Sequence, residues 1–286
     1  MKSRLLLTIV GLAMVTGSAF AGVTLDIRYV FEQGAGVQSH VSATIDGVEM
    51  GANVPLAVTG GAKVDLTLDV LGVADDGVAT LRASFGKVEA TLLDEPQNAG
   101  TPSPIEMRVD RRGALVGLRS DDASGIDIFA SGGVPLQFVV LLAGIAEMPV
   151  EPVDLGGEWV SESRQQIPQV GEVTMNVRSR IVEISGDEMV LLTDMEASLP
   201  DFSSPNPMQA GEITVQNGVL TIEGLRRTVD MRTGLIKSAD ARMHFNGFAA
   251  IGPFPPLPLS VTSSFTIVPA PRPEQAAHPA GVQGDG

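Results

Sequence analysis

Three histidines supply the chain's imidazole groups: His40, His244 and His278. Each would need a nucleophile to serve, or a carboxylate to orient its ring, before it could act as a base. His40 falls in a run that alternates apolar and polar residues, on the polar side opposite Val41. His244 sits between Met243 and Phe245, also in an outward position, and His278 lies in a Pro/Ala/Gly-rich tail. No G-x-S-x-G elbow presents a serine to any of them.

Carboxylates are plentiful, with 34 Asp and Glu. Asp121-Asp122 with Ser124 and Asp127, around Gly125, gathers oxygens of the kind Ca²⁺ accepts. The spacing is not that of an EF-hand and the closing Glu is missing, so the stretch reads as a solvated loop. Asp75-Asp76 and Asp187-Glu188 read as turn residues. Two acids at ~5–10 Å could hydrolyse a glycoside. Sugar sites tend to need aromatic platforms, however, and aromatics make up 4% of the chain, with one Trp and one Tyr. Zero Cys excludes a thiolate nucleophile, disulfides and Cys-ligated zinc. There is no P-loop and no G-x-G-x-x-G after a strand. No residue is therefore assigned as catalytic, cofactor-binding or metal-ligating, and the sequence does not single out ligand-binding residues.

The elements that would carry these groups read as strands. In Val64–Ala90, Val64, Leu66, Leu68 and Val70 alternate with Asp65, Thr67 and Asp69. The pattern breaks at Ala74-Asp75-Asp76-Gly77 and returns through Ala79, Leu81, Ala83 and Phe85. That is a hairpin with one apolar face. The pattern recurs over Val173–Ala197 around Ser185-Gly186-Asp187, and VDRRGALVG at 109–117 corresponds to VDMRTGLIK at 229–237. Two correspondences in the same order predict an internal duplication. Further strands are expected at 23–31, 37–45, 105–109, 115–119, 211–216, 219–223, 225–231, 235–245 and 259–267. Val134–Met148 is apolar nearly all round and reads as a buried helix, with a buried strand as the alternative. Met148–Trp159, rich in Pro and Gly, reads as a joint, and Trp159 as a core plug or a lid on the seam between the halves.

The first 21 residues form an export signal: Lys2 and Arg4, an apolar Leu5–Val15, and Ala19-Phe20-Ala21 as the cleavage site. The apolar run is too short for a membrane helix of ~20 residues. The leader removes two of the 19 bases and none of the 34 acids. The strongly acidic mature chain disfavours nucleic acid and anionic lipid surfaces as partners. The 11 Met of the full sequence favour irregular apolar surfaces.

The strand LDIRYVFEQG, the hairpin end VADDGVA and the joint MPVEPVDLGGEW resemble uncharacterised families of exported bacterial two-repeat β-rich proteins. That resemblance implies an architecture and no activity. The expectation is a mainly β protein of two similar, curved antiparallel halves with one buried helix. Residues 1–21 are the signal, 22–148 the first repeat with its helix, 149–158 the joint, 159–268 the second repeat and 269–286 a disordered tail. The expected protein is periplasmic or extracellular, takes no cofactor and has no transmembrane span once mature. It is a non-catalytic binding protein for an apolar ligand or an envelope component. A structural component of the envelope and an unrecognised hydrolase are the alternatives.

Overall fold

The computed structural model describes residues 24–51, 54–56, 58–97, 100–120, 146–167, 171–205, 212–250 and 255–270. Among these residues the protein is all β, and apolar–polar alternation explains nearly every strand. The first half contains β1 (Thr24–Leu25), β2 (Gly36–Met50), β3 (Val54–Leu56), β4 (Gly60–Val73), β5 (Ala79–Phe85), β6 (Glu89–Leu92), β7 (Glu95–Gln97), β8 (Ile105–Val109) and β9 (Leu115–Ser120). The second contains β10 (Val153–Asp154), β11 (Glu158–Ile167), β12 (Gly171–Ser185), β13 (Glu188–Leu199), β14 (Phe202–Pro205), β15 (Glu212–Asp230), β16 (Ile236–Ala250) and β17 (Leu257–Pro269).

Eleven strands follow one another in a single antiparallel sheet, in the order β11-β12-β13-β15-β16-β17-β2-β4-β5-β8-β9. The C-terminal strand β17 pairs with β2, for example Phe265 with Ala43, which joins the two halves of the chain. The sheet curls until its outer strands approach, and Gln165 Nε2 on β11 donates to Leu115 O on β9 at 3.1 Å. The result is a nearly closed barrel with an unpaired seam between β9 and β11.

One face of the wall is apolar and buried, as with Leu66 and Leu68 on β4, Leu81 on β5, Met107 on β8, Met243 on β16 and Phe265 on β17. The other face is polar, as with Lys63 and Asp65 on β4, Asp194 and Glu196 on β13, and Arg242 on β16. This is the reverse of an outer-membrane barrel, which needs an outward apolar band about 25 Å tall.

Three expectations are corrected. The halves do not form two separate sheets, because five strands from the first and six from the second make one continuous wall. Internal duplication is therefore not supported. The 110–113 and 230–234 turns do share an Asp whose Oδ1 caps the backbone and a Gly at positive φ. Many tight turns with this chemistry look alike, so the likeness does not establish a repeat. No helix occurs among the described residues. Most of the 134–148 stretch lies outside them, and its end, 146–148, is extended chain in which Met148 N–H bonds Arg112 O at 2.6 Å. Finally, the strand expected at 23–31 shortens to β1. Beyond it Ile27, Tyr29 and Phe31 still alternate inward, but they pack across the end of the barrel and do not join its wall.

Residues 1–21, the Asp121–Asp127 cluster, His278 and nearly all of the expected tail fall outside the described residues. No helix of the described residues is long and apolar enough to cross a membrane.

Candidate functional site

The β4–β5, β8–β9, β12–β13 and β15–β16 turns all lie at one end of the barrel, and two extended segments stopper it. In the first, Tyr29 N–H bonds Arg111 O at 2.8 Å, and the Tyr29 hydroxyl donates to Ala146 O at 2.7 Å. Its ring lies so close to Gly234 that a Cβ there would come within 2.6 Å of it. In the second, Pro149 O and Val150 O accept from the Arg28 guanidinium, and Glu147 O accepts from Trp159 Nε1 at 3.1 Å. Trp159, on the edge strand β11, is partly buried against the core. Burial pushes the Glu147 carboxyl above its usual range, opposed by a hydrogen bond from Ser161 and the charge of Arg112.

Above this stopper the apolar wall is interrupted by a polar cluster. Ser179 on β12 and Thr193 on β13 are direct cross-strand partners, both buried, with their hydroxyl oxygens 2.9 Å apart. Arg227 on β15 donates from Nη2 to Thr193 Oγ1 at 2.6 Å. Arg227 is only 5% exposed, and its Nε has no hydrogen-bond partner. Among the described residues no carboxylate pairs with it. Burial pulls its guanidinium down to about 10, which leaves it cationic at neutral pH. Burial likewise pushes the Tyr29 phenol far up, opposed by the charge of Arg227, so Tyr29 stays neutral.

A bulge turns Arg227 inward. Along β15, Leu220 and Ile222 face the core; Leu225, Arg227 and Val229 then do so with shifted parity. Thr193 pairs with Leu225 and Met195 with Ile222, so β15 carries one extra residue there. Gly224 takes it up at φ +62°, with its N–H bonded to Asp194 Oδ1 at 2.8 Å. Under unbroken alternation from Ile222, with no bulge, Arg226 would point in and Arg227 out, because a one-residue slip exchanges the faces of a strand. The available sequence signal was Gly224 breaking an otherwise apolar–polar run.

The histidines are elsewhere. His40 does face outward, and its Nδ1 meets Asp65 Oδ1 at 2.6 Å across the β2–β4 pair. Ser42, two residues along the same face, bonds Thr266 Oγ1 at 2.7 Å. His40, Asp65 and Ser42 border an open surface cleft of about 370 Å³. Neighbouring backbone N–H groups are spent in the sheet ladder, so no oxyanion donors converge there. His244 bonds Thr262 on the outer face. Asp76 caps Val78 N–H in its turn, while Asp187 meets Arg232 and Glu188 meets Lys237. Among the described residues no group of three His, Asp or Glu could hold a metal ion.

Compared with known proteins, the chain matches no family model and no curated sequence.

Proposed function

We propose that this is an exported, non-catalytic binding protein whose ligand is apolar and lodges inside the β wall. The observation that carries the reading is the wall itself: eleven strands with polar groups outside and an apolar face inside. Eight strands enclose a space that side chains alone can fill, and width grows with strand number. Eleven strands enclose a wider interior than eight. Its apolar side chains, Leu81, Met189, Leu191 and Met243 among them, are closed on one another in the ligand-free chain and part to admit the occupant, while Ile27, Tyr29 and Phe31 cover the stoppered end. The inner face also carries Met107, Met175, Met189, Met195 and Met243, side chains that adapt to irregular apolar shapes. The leader at 1–21 supports export, and the absence of Cys fits a chain that folds in either redox environment.

The test is a fluorescence titration of the full mature chain with N-phenyl-1-naphthylamine, which brightens in apolar surroundings. Saturable uptake at one site per chain is the expected result. A cooperatively folded protein that takes up none overturns the reading.

One observation favours a second reading, an interaction component of the envelope. Val116 on β9, Val160 on β11, and Val150 and Leu155 in the joint are each more than half exposed, on the strands and connection that flank the seam. Such exposure is typical of a docking face when it is contiguous. Under this reading the titration is blank, and replacing Val116 and Val160 by Ser releases the protein from its envelope fraction.

A further inference from the structure

Resting on that reading, we infer that the ligand carries an anionic head, and that Arg227 with Thr193 and Ser179 is the place where a carboxylate docks. The physical basis begins with hydrogen-bond capacity. A guanidinium offers five N–H donors and no acceptor. Here one Nη2 proton goes to Thr193, and Nε–H is buried with no partner. Ser179 and Thr193 bring two hydroxyl protons, of which their mutual bond uses one. The cluster is therefore left with a buried Nε–H that has no acceptor. A surplus of donors calls for a partner that only accepts, which an ionised carboxylate does and an alcohol or amine does not.

Charge points the same way. Arg227 is a buried cation, and among the described residues no acid faces it. The neighbouring Tyr29 is neutral and gives its proton to Ala146 O. Buried charges are ordinarily paired, and a planar guanidinium edge matches a carboxylate with two parallel bonds. The surrounding inner face is apolar, including Leu191, Leu225 and Val229, which are fully buried in the ligand-free chain and must part to admit a ligand. A molecule lodged here has one charged end at Arg227 and an apolar remainder along the wall. That describes a long-chain carboxylate.

Displacement of bound N-phenyl-1-naphthylamine by hexadecanoate, hexadecan-1-ol and acetate tests this, using the mature chain and its Arg227→Gln and Thr193→Val variants. The native protein should prefer hexadecanoate over the alcohol by about tenfold or more, the scale of a hydrogen bond to a charged group. Arg227→Gln should bring that ratio close to one, mainly by weakening hexadecanoate. Thr193→Val should reduce the ratio by a smaller factor. Equal affinity of the native protein for acid and alcohol overturns the head-group assignment and leaves the apolar-ligand reading standing. So does an unchanged ratio in Arg227→Gln. Displacement by acetate as effective as by hexadecanoate also overturns it, since a small anion would then be the ligand. If none of the three compounds displaces a probe that the titration found bound, the assignment falls alone. If the probe itself never bound, both readings fall. Because Gln keeps polarity near that of the native side chain, and Thr→Val keeps shape, loss of fold in one variant leaves the other to decide.

Discussion

Arg227 is costly to the empty protein. A cation held away from water, with an unpaired Nε–H, is destabilising unless something compensates it. Replacing it with methionine, of similar length and no charge, removes that cost. Arg227→Met should therefore stabilise the ligand-free chain by about 1–3 kcal/mol, read as a higher urea midpoint at unchanged slope. A structural arginine would show the opposite sign. Gains in stability on losing a buried polar group are the usual mark of a residue retained for function. The sequence does not disclose this residue, because Arg226-Arg227 in a strand reads as a solvated pair. Only the extra residue at Gly224, which shifts the strand's parity, separates the inward arginine from the outward one.

Strand and turn positions were more legible. The hairpins at Ala74–Gly77 and Ser185–Asp187 fall where alternation breaks, because turn residues and the period of two are local properties. His40 and His244 face outward for the same reason. What alternation does not encode is the partner of each strand. Ile27, Tyr29 and Phe31 have the pattern of a wall strand, yet they close an end, because their inward side chains are satisfied equally well there. The Gly224 bulge gives a test at this scale. Gly224 has positive φ, and the space an added methyl group would occupy is open. Gly224→Ala should therefore cost roughly 1–2 kcal/mol through the backbone alone. Gly72, at the β4–β5 register shift, has open space without positive φ, so Gly72→Ala should be neutral or stabilise by up to about 1 kcal/mol. Paired urea curves check both.

The β15–β16 turn adds a pH dependence. Burial would raise the Asp230 carboxyl. The Arg232 backbone N–H, the Arg232 guanidinium and Lys237 outweigh it and hold Asp230 below its ordinary 3.8. The unfolded chain then binds the proton more readily, so this contribution is complete above the ordinary range and is lost as pH falls through the lowered value. Asp230→Asn should lower stability at pH 7 by about 1 kcal/mol and flatten the decline below pH ~4. Thermal unfolding of both proteins across pH 2–7 measures that difference.

At the scale of the molecule, the sequence conveyed the class and missed the closure. Alternation predicts sheets with an apolar face, and every such face must be covered. It does not say whether two sheets cover each other or one sheet curls upon itself. The β17–β2 pairing, between residues more than 200 positions apart in the chain, makes that choice. Its consequence is an interior shared by both halves, with a stopper at one end and a seam at one side. The most direct measurement is native mass spectrometry, with solvent extraction, of the full protein recovered gently from its own envelope. The expected result is one apolar, anion-headed molecule per chain, released on unfolding and depleted in Arg227→Gln. A bare chain mass under the same gentle conditions, from a protein that also takes up no apolar probe, would contradict the binding role.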